Sequence, residues 1–326
     1  MSERTMQASF VSESATAESL QYGPVAVPQP GAGEVLIRVR AASLDRVDSY
    51  LRRGTHGMAV RTPTVLGRDM AGTVVALGPG VTGITEGDEV VALGRGTHAE
   101  FAVAPALHTL PRPADWTDAQ AAALPTAGRT AYDAVANLAR VRPGETVLVI
   151  AAGGAVGTFA VQYARALGAR VLATAGSADK RDAAVRLGAE TAFDHYADDL
   201  VERLTEQTAG AGVEVVIESA GGELWTALQS VLARGGRMVT CGVTAGARAN
   251  IHLGKLMVNG WRIHGIGRPG PAEVAAHLRD SLALSRSIAR RPVVDRVYAL
   301  SDASAAHDQL ESSQFFGRIV LAPAAQ

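Results

Sequence analysis

The sequence predicts an α/β protein built from a doubly wound parallel sheet joined to an irregular β barrel. Three observations carry that prediction. From residue 146 onward, short apolar runs alternate with helical patterns. The first of these runs opens into a glycine-rich turn, Ala151-Ala152-Gly153-Gly154-Ala155-Val156-Gly157. Before residue 124 the chain reads instead as many short strands separated by Gly and Pro turns. A length of 326 residues suits two such domains.

The barrel part comes first. Residues 34–40 (EVLIRVR) alternate apolar and charged side chains, the pattern of a half-buried strand. Pro28, Pro30, Gly31 and Gly33 supply the turn before it. Residues 73–77, 89–93 and 98–103 are further strands, the first two separated by the turn-rich GPGVTGITEGD. Residues 45–53 form the one helix among them. Residues 117–124 and 129–139 then read as helices, with Thr117 and Gln120 spaced as a capping box.

The parallel-sheet part follows. Its strands are expected at 147–150, 170–174, 191–193, 213–217, 237–241 and 261–266, with helices at 179–187, 200–208 and 223–232 between them. A helix over 271–287 and a strand over 318–321 close the chain. That tail finds no partner in the parallel sheet, so it is expected to return to the barrel. The expected domains are residues 1–124 completed by 269–326, and residues 125–268.

Composition narrows the class of function. Apolar residues make up 47% and charged residues 19%, the balance of a soluble globular protein. The net charge of −1 provides no basic field for nucleic acid or a membrane surface. The single cysteine, Cys241, excludes a disulfide framework and a multi-cysteine zinc site, and fits a reducing, cytoplasmic setting. The first ten residues, MSERTMQASF, lack the apolar core of a signal peptide, and no run approaches membrane-spanning length.

The glycine turn is the first chemical signal. A G-x-G-x-x-G fingerprint laid on Ala152, Gly154 and Gly157 has its second and third glycines in place. Residues 152–157 therefore sit where backbone N–H groups and a helix N-terminus meet a pyrophosphate. A carboxylate for a ribose 2′-hydroxyl belongs about 20 residues further on. That region reads Ala173-Thr174-Ala175-Gly176-Ser177 and holds none. Lys180 and Arg181 follow, either as partners of a 2′-phosphate or as a solvated helix face. The pattern favours NADPH over NADH.

Four segments, taken together, identify a family. AASLDRVDSYLRRG, TVLGRDMAGTVVALGPGVTGITEGDEVVA, GTHAEFAV and VRPGETVLVIAAGGAVGTFAVQYARALGA resemble, in that order and spacing, the medium-chain dehydrogenase/reductase superfamily. The ending ESSQFFGRIVL does so too. Within it the chain looks most like the zinc-free quinone oxidoreductases of the zeta-crystallin type and the enoyl reductase domains of polyketide synthases. The resemblance implies a GroES-like barrel, a Rossmann domain, an active-site cleft between them, and a homodimer or homotetramer. Zinc-dependent relatives carry a Cys near the start of the 45–53 helix and a Gly-His-Glu where this chain has Gly67-Arg68-Asp69. No metal is expected here.

Without a Lewis acid, the accessible chemistry is hydride delivery to an electron-poor carbon, as in a quinone or another conjugated carbonyl. Charge then builds on the carbonyl oxygen and needs a donor. The family's Asn, Tyr, Tyr positions match Asp45, Tyr50 and His56. Tyr50 either hydrogen-bonds substrate or walls the pocket. His56 is a proton donor or an exposed loop residue. Asp45 either bonds the nicotinamide ribose or caps its helix. His98 is a further, lesser candidate. By resemblance, Thr130, Ser219, Gly242 and Val243 line the nicotinamide, Arg318 reaches the pyrophosphate, and His195 stands where relatives flank the 2′-phosphate with a Tyr. The substrate pocket is expected on the loop 50–64 and near residues 98 and 250–259. Enoyl thioester reduction, a binding protein with secondary catalysis, and a non-redox reaction such as cyclisation are the alternative readings.

Overall fold

A computed structural model describes residues 4–12, 20–58 and 62–323. In chain order its strands are β1 (Thr5–Val11), β2 (Leu20–Ala26), β3 (Glu34–Ser43), β4 (Thr64–Val65), β5 (Asp69–Leu77), β6 (Glu89–Leu93), β7 (Phe101–Pro105), β8 (Thr109–Pro111), β9 (Thr146–Val149), β10 (Arg170–Thr174), β11 (Thr191–Phe193), β12 (Val213–Glu218), β13 (Leu232–Thr240), β14 (Arg262–Gly265), β15 (Val294–Ala299) and β16 (Arg318–Ala322). The helices are α1 (Arg46–Arg53), α2 (Asp118–Ala122), α3 (Pro125–Tyr132), α4 (Ala155–Ala166), α5 (Ala178–Leu187), α6 (Leu200–Gln207), α7 (Leu224–Val231), α8 (Leu253–Asn259), α9 (Pro271–Ser287) and α10 (Ala303–Ser312).

The chain divides into two compact units. The first comprises Met1–Thr126, Gly270–Leu282 and Arg291–Gln326, and the second Ala127–Pro269 and Ala283–Arg290. In the first unit β3 alternates as its sequence demands, burying Val35, Ile37 and Val39 and leaving Arg38 and Arg40 exposed. It pairs with β5, β7 and β16, and the run continues β15-β16-β3-β5-β6-β8. Met70, Val74 and Val90 fill the interior against β3. The hairpin β1–β2, with β4 on its other edge, forms a separate sheet. A second cluster, Leu44, Leu300, Leu310, Phe315, Ile319 and Leu321, seats α10 on the barrel.

The second unit is a six-stranded, wholly parallel sheet in the order β11-β10-β9-β12-β13-β14. The order reverses at β9, so the crevice beyond the carboxyl ends of β9 and β12 is its ligand-binding switch point. Leu148, Leu172, Val216, Trp225, Leu228 and Met238 are among its core residues.

Several segments differ from the sequence expectation. The helix expected over 129–139 begins earlier, at Pro125, whose fixed φ suits a first helical position, and continues into a π-helical turn over Asp133–Leu138. The hairpin β1–β2, β15 and α10 were not anticipated, although α10 buries Ala303, Ala306, His307 and Leu310 at helical spacing. α8 was missed as well, and the reason is visible: none of its residues is buried, so it has no inward apolar stripe. Among the described residues, no helix is long and apolar enough to cross a membrane.

Candidate active site

The turn after β9 is built by close backbone approach. Ala151 adopts φ +55°, while Ala152 keeps φ negative, so the strained position is one residue before the first fingerprint site. Ala152 N–H donates to Thr174 O at 2.8 Å, tying the turn to the end of β10. A Cβ on Gly157 would lie 2.4 Å from Ala151 O and 2.7 Å from Ala152 Cα, which only glycine avoids. Gly154 is the N-cap of α4, and no side chain caps that helix. Its first-turn N–H groups, including those of Ala155 and Val156, are thereby left for an anion. Ala152 and Gly153 are buried beneath them.

The end of β10 carries the second recognition element. Ser177 caps α5, accepting Lys180 N–H at 3.4 Å. Gly176 and Ser177 are exposed, and Lys180 stands half-buried in the first turn of α5. The structure separates the two cations that the sequence placed side by side. Arg181 Nη1 bonds Asp194 Oδ2 at 2.9 Å and the Ala175 carbonyl at 3.4 Å, so its guanidinium ties the end of β10 to the residue after β11. His195 and Tyr196 come against Gly176, meeting edge to face with ring centroids 4.3 Å apart.

Beyond the sheet's carboxyl edge lie Ser219, Gly242 and Val243, all half-buried. Ser219 Oγ donates to Ile150 O at 3.3 Å. The loop is held by a residue that sequence reasoning missed. Glu218 is fully buried, accepts the N–H groups of Ala220 and Gly221 and the Trp225 indole N–H at 3.0 Å, and takes the Thr240 hydroxyl at 3.1 Å. The signal was a carboxylate directly after the apolar run Val215-Val216-Ile217 at the end of the strand. Thr130 is buried on α3. Burial raises the Cys241 thiol to about 12, leaving it inert as a nucleophile.

In the first unit, α1 starts at Asp45, whose N–H is taken by the Asp48 carboxylate at 2.8 Å, and ends at Gly54 in the left-handed conformation. Tyr50, on its last turn, stacks on His56, with ring centroids 3.9 Å apart and planes 28° apart. His56 is exposed at φ +57°, its Nδ1 3.2 Å from Thr55 Oγ1. The two catalytic candidates thus form one aromatic pair. Residues 59–61 of the expected pocket loop lie outside the described residues. His98 corrects an expectation. It is wholly buried, burial lowers it to about 4, and its ring faces His307 at 6.0 Å, so it is neutral and cannot reach a ligand.

Arg318 corrects another. Its side chain is fully excluded from solvent. It donates to Asp45 Oδ1 at 2.5 Å, to the Ser43 hydroxyl, and to Asp69 Oδ2 at 2.8 Å. Thr126 completes the cage, its N–H and hydroxyl both on Asp69. Burial and the neighbouring Asp45 raise Asp48 and Asp69, which Arg318 counters. Arg318 Nη1 and Nη2 are thus engaged by two carboxylates, while Arg318 Nε and Asp45 Oδ2 have no hydrogen-bond partner among the described residues, so this structure shows the pair bonded to the barrel and not to a pyrophosphate or ribose.

The comparisons now fall on this geometry. Residues 31–114 match the family model described as alcohol dehydrogenase GroES-like domain, and residues 155–283 the one described as zinc-binding dehydrogenase. Quinone oxidoreductase 1 of Escherichia coli is 33% identical over 94% of this chain and 96% of its own length. The chain belongs to the medium-chain dehydrogenase/reductase superfamily, in its zinc-free quinone oxidoreductase branch. A mycobacterial member solved with NADPH superposes with a TM-score of 0.89, at 32% identity over 98% of this chain and all of that one. The spectinabilin polyketide synthase system protein NorB of Streptomyces orinoci is 37% identical over 91% of this chain, which spans only 13% of NorB. The superfamily's nicotinamide-dinucleotide fold is the second unit, and the cradle at Gly157 and α4 fits such a group. Zinc does not fit. Arg68, exposed, stands where zinc-dependent members have His, and the Arg318 guanidinium already holds both Asp45 and Asp69.

Proposed function

We propose that the protein is an NADPH-dependent reductase of quinones or other conjugated carbonyls that works without a metal. The observation that carries the cofactor choice is the acid-free turn at residues 173–177, with Lys180 in the first turn of the helix that follows and Arg181 held on Asp194 and the Ala175 carbonyl. Bound NADPH supplies the hydride. Gly154, Ala155, Val156 and Gly157 offer backbone N–H groups to the pyrophosphate, and Gly176, Ser177, Lys180 and His195 surround the 2′-phosphate. Ser219, Gly242, Val243 and Thr130 border the nicotinamide.

The developing oxyanion calls for a hydrogen-bond donor. Tyr50 supplies it, the stacked His56 holds the phenol ring, and the exposed imidazole returns a proton to the phenol through solvent water. Asp45 and Arg318 have no part in this step; they hold the start of α1 and β16 together and so position Tyr50.

The test is NADPH oxidation against a panel of quinones, enones and enoyl thioesters. Turnover on quinones or enones is expected. Tight NADPH binding with no turnover on any acceptor sinks the proposal and leaves a cofactor-binding protein. Preference for enoyl thioesters would favour the second reading, to which the similarity with a polyketide synthase segment gives weight.

The same reading includes a homodimer. β14 ends its sheet with no strand beyond it among the described residues, and Leu253, Met257 and Val258 on α8 are 71%, 77% and 70% exposed. Sedimentation across a concentration series that shows only monomer overturns this part.

A further inference from the structure

A hydrogen-bonded chain links the glycine turn to the ring of His195. Ala151 N–H donates to Thr174 Oγ1 at 3.3 Å, which leaves the hydroxyl its own proton to give. Thr174 Oγ1 lies 3.3 Å from His195 Nδ1. Thr174 is wholly buried. With the hydroxyl donating to Nδ1 the neutral ring carries its proton on Nε2; in the imidazolium Nδ1–H donates instead and Thr174 Oγ1, rotated, accepts it. Nε2 lies 3.1 Å, and Tyr196 Cε2 2.8 Å, from where a Cβ on Gly176 would stand, so the His195 ring nitrogen lies directly against the Gly176–Ser177 turn.

We propose that His195 is a protonation-dependent selector for the cofactor's 2′-phosphate. It donates Nε2–H to the phosphate and takes up a proton from solvent when the dianion binds, so the preference for NADPH over NADH steepens as pH falls through neutrality. The inference rests on the NADPH reading above.

The charges around the ring are consistent with such a role. Burial is the largest influence on the free imidazole and lowers it; Lys180 and Arg181 lower it further, and Asp194 raises it. Asp194 is occupied, Oδ1 by Tyr196 N–H at 2.9 Å and Oδ2 by Arg181. Tyr196, 79% exposed, borders the ring on its other side. Without cofactor the ring is thus neutral at pH 7. A phosphate dianion at Nε2 raises it, and each unit of rise strengthens NADPH binding about tenfold on the acid side. The phosphate's own second ionisation, near pH ~6, opposes this and must be subtracted.

The test measures NADPH and NADH affinity at about pH 6.5, the ordinary imidazole value, and at about pH 8.5, well above it, for the wild type and His195→Gln. Gln keeps a donor and cannot titrate. The NADPH/NADH affinity ratio of the wild type is expected to rise about fivefold at the lower pH, relative to His195→Gln. A thermal unfolding midpoint matching the wild type certifies that the variant is folded. Calorimetry of the wild type in buffers of different ionisation heat needs no variant: proton uptake is expected with NADPH and not with NADH. Equal slopes in wild type and His195→Gln, or no proton uptake, overturn the selector and leave the NADPH reading intact. No preference for NADPH at either pH overturns both.

Discussion

Arg318 Nη2 donates to Asp69 Oδ2 at 2.8 Å, with both side chains wholly shielded from water. The same guanidinium bonds Asp45. One cation thereby joins β16 to β5 and to the start of α1, and occupies the carboxylates that a metal would need. Taking these groups from water costs several kcal/mol per ion, so the cluster is an architectural commitment more than a source of net stability.

Removing that cation leaves Asp45, Asp48 and Asp69 buried together. Arg318→Met is expected to destabilise the first unit by about 3–5 kcal/mol, read in denaturant unfolding. Affinity for NADPH in the folded fraction should stay near that of the wild type. A selective loss of cofactor affinity, with stability kept, would return Arg318 to the pyrophosphate.

Glu311 on α10 offers a gentler probe. Burial opposes its ionisation, and the Ser49 hydroxyl with the Arg53 and Arg52 guanidiniums outweighs that, holding it at about 2 against 4.5 when unfolded. A depressed carboxylate stabilises fully above its unfolded value. The contribution therefore fades as pH drops from 4.5 toward 2. Glu311→Gln should cost about 1–2 kcal/mol at neutral pH, after discounting for solvent screening, and flatten the acid limb of stability against pH. An unchanged acid limb would mean the contact contributes nothing.

Gly157→Ala tests the cradle. The added methyl must displace Ala151 O, 2.4 Å away, and with it the turn that receives the pyrophosphate. An overpacking cost of about 1–3 kcal/mol predicts a fall in affinity for both NADPH and NADH of roughly tenfold or more. Equal affinity in the variant, by fluorescence titration, would move the cofactor elsewhere.

Lys180→Ala should raise the KM for NADPH about tenfold or more, the value of a charge-assisted hydrogen bond, and leave NADH nearly unchanged. Equal losses with both cofactors would contradict a 2′-phosphate role.

Tyr50→Phe should lower kcat about tenfold or more, with little change in cofactor affinity. Unchanged turnover would reassign Tyr50 to the pocket wall.

Local pattern made much of this molecule legible. The β3 alternation, the Ser177 start and Gly188 end of α5, and the order of strands around the glycine turn each follow from neighbours within a few residues. What local pattern misses is pairing over distance. Arg318 and Asp69 are 249 residues apart, and nothing near either announces the other. Arg181 looked like a phosphate ligand because its rival partner, Asp194, lies just past the end of the next strand. α8 escaped notice because its apolar residues face outward.

The place of β16 has a consequence for how the protein is made. This strand lies inside its sheet, between β15 and β3, and carries the arginine that neutralises the barrel's buried acids. On the ribosome it emerges after every strand of the parallel sheet. The nucleotide unit can therefore close while the barrel still waits, with its β3 edge open and its acids unpaired. For that interval the nascent chain exposes a pairing edge, and chaperone capture or misassociation should concentrate on the barrel.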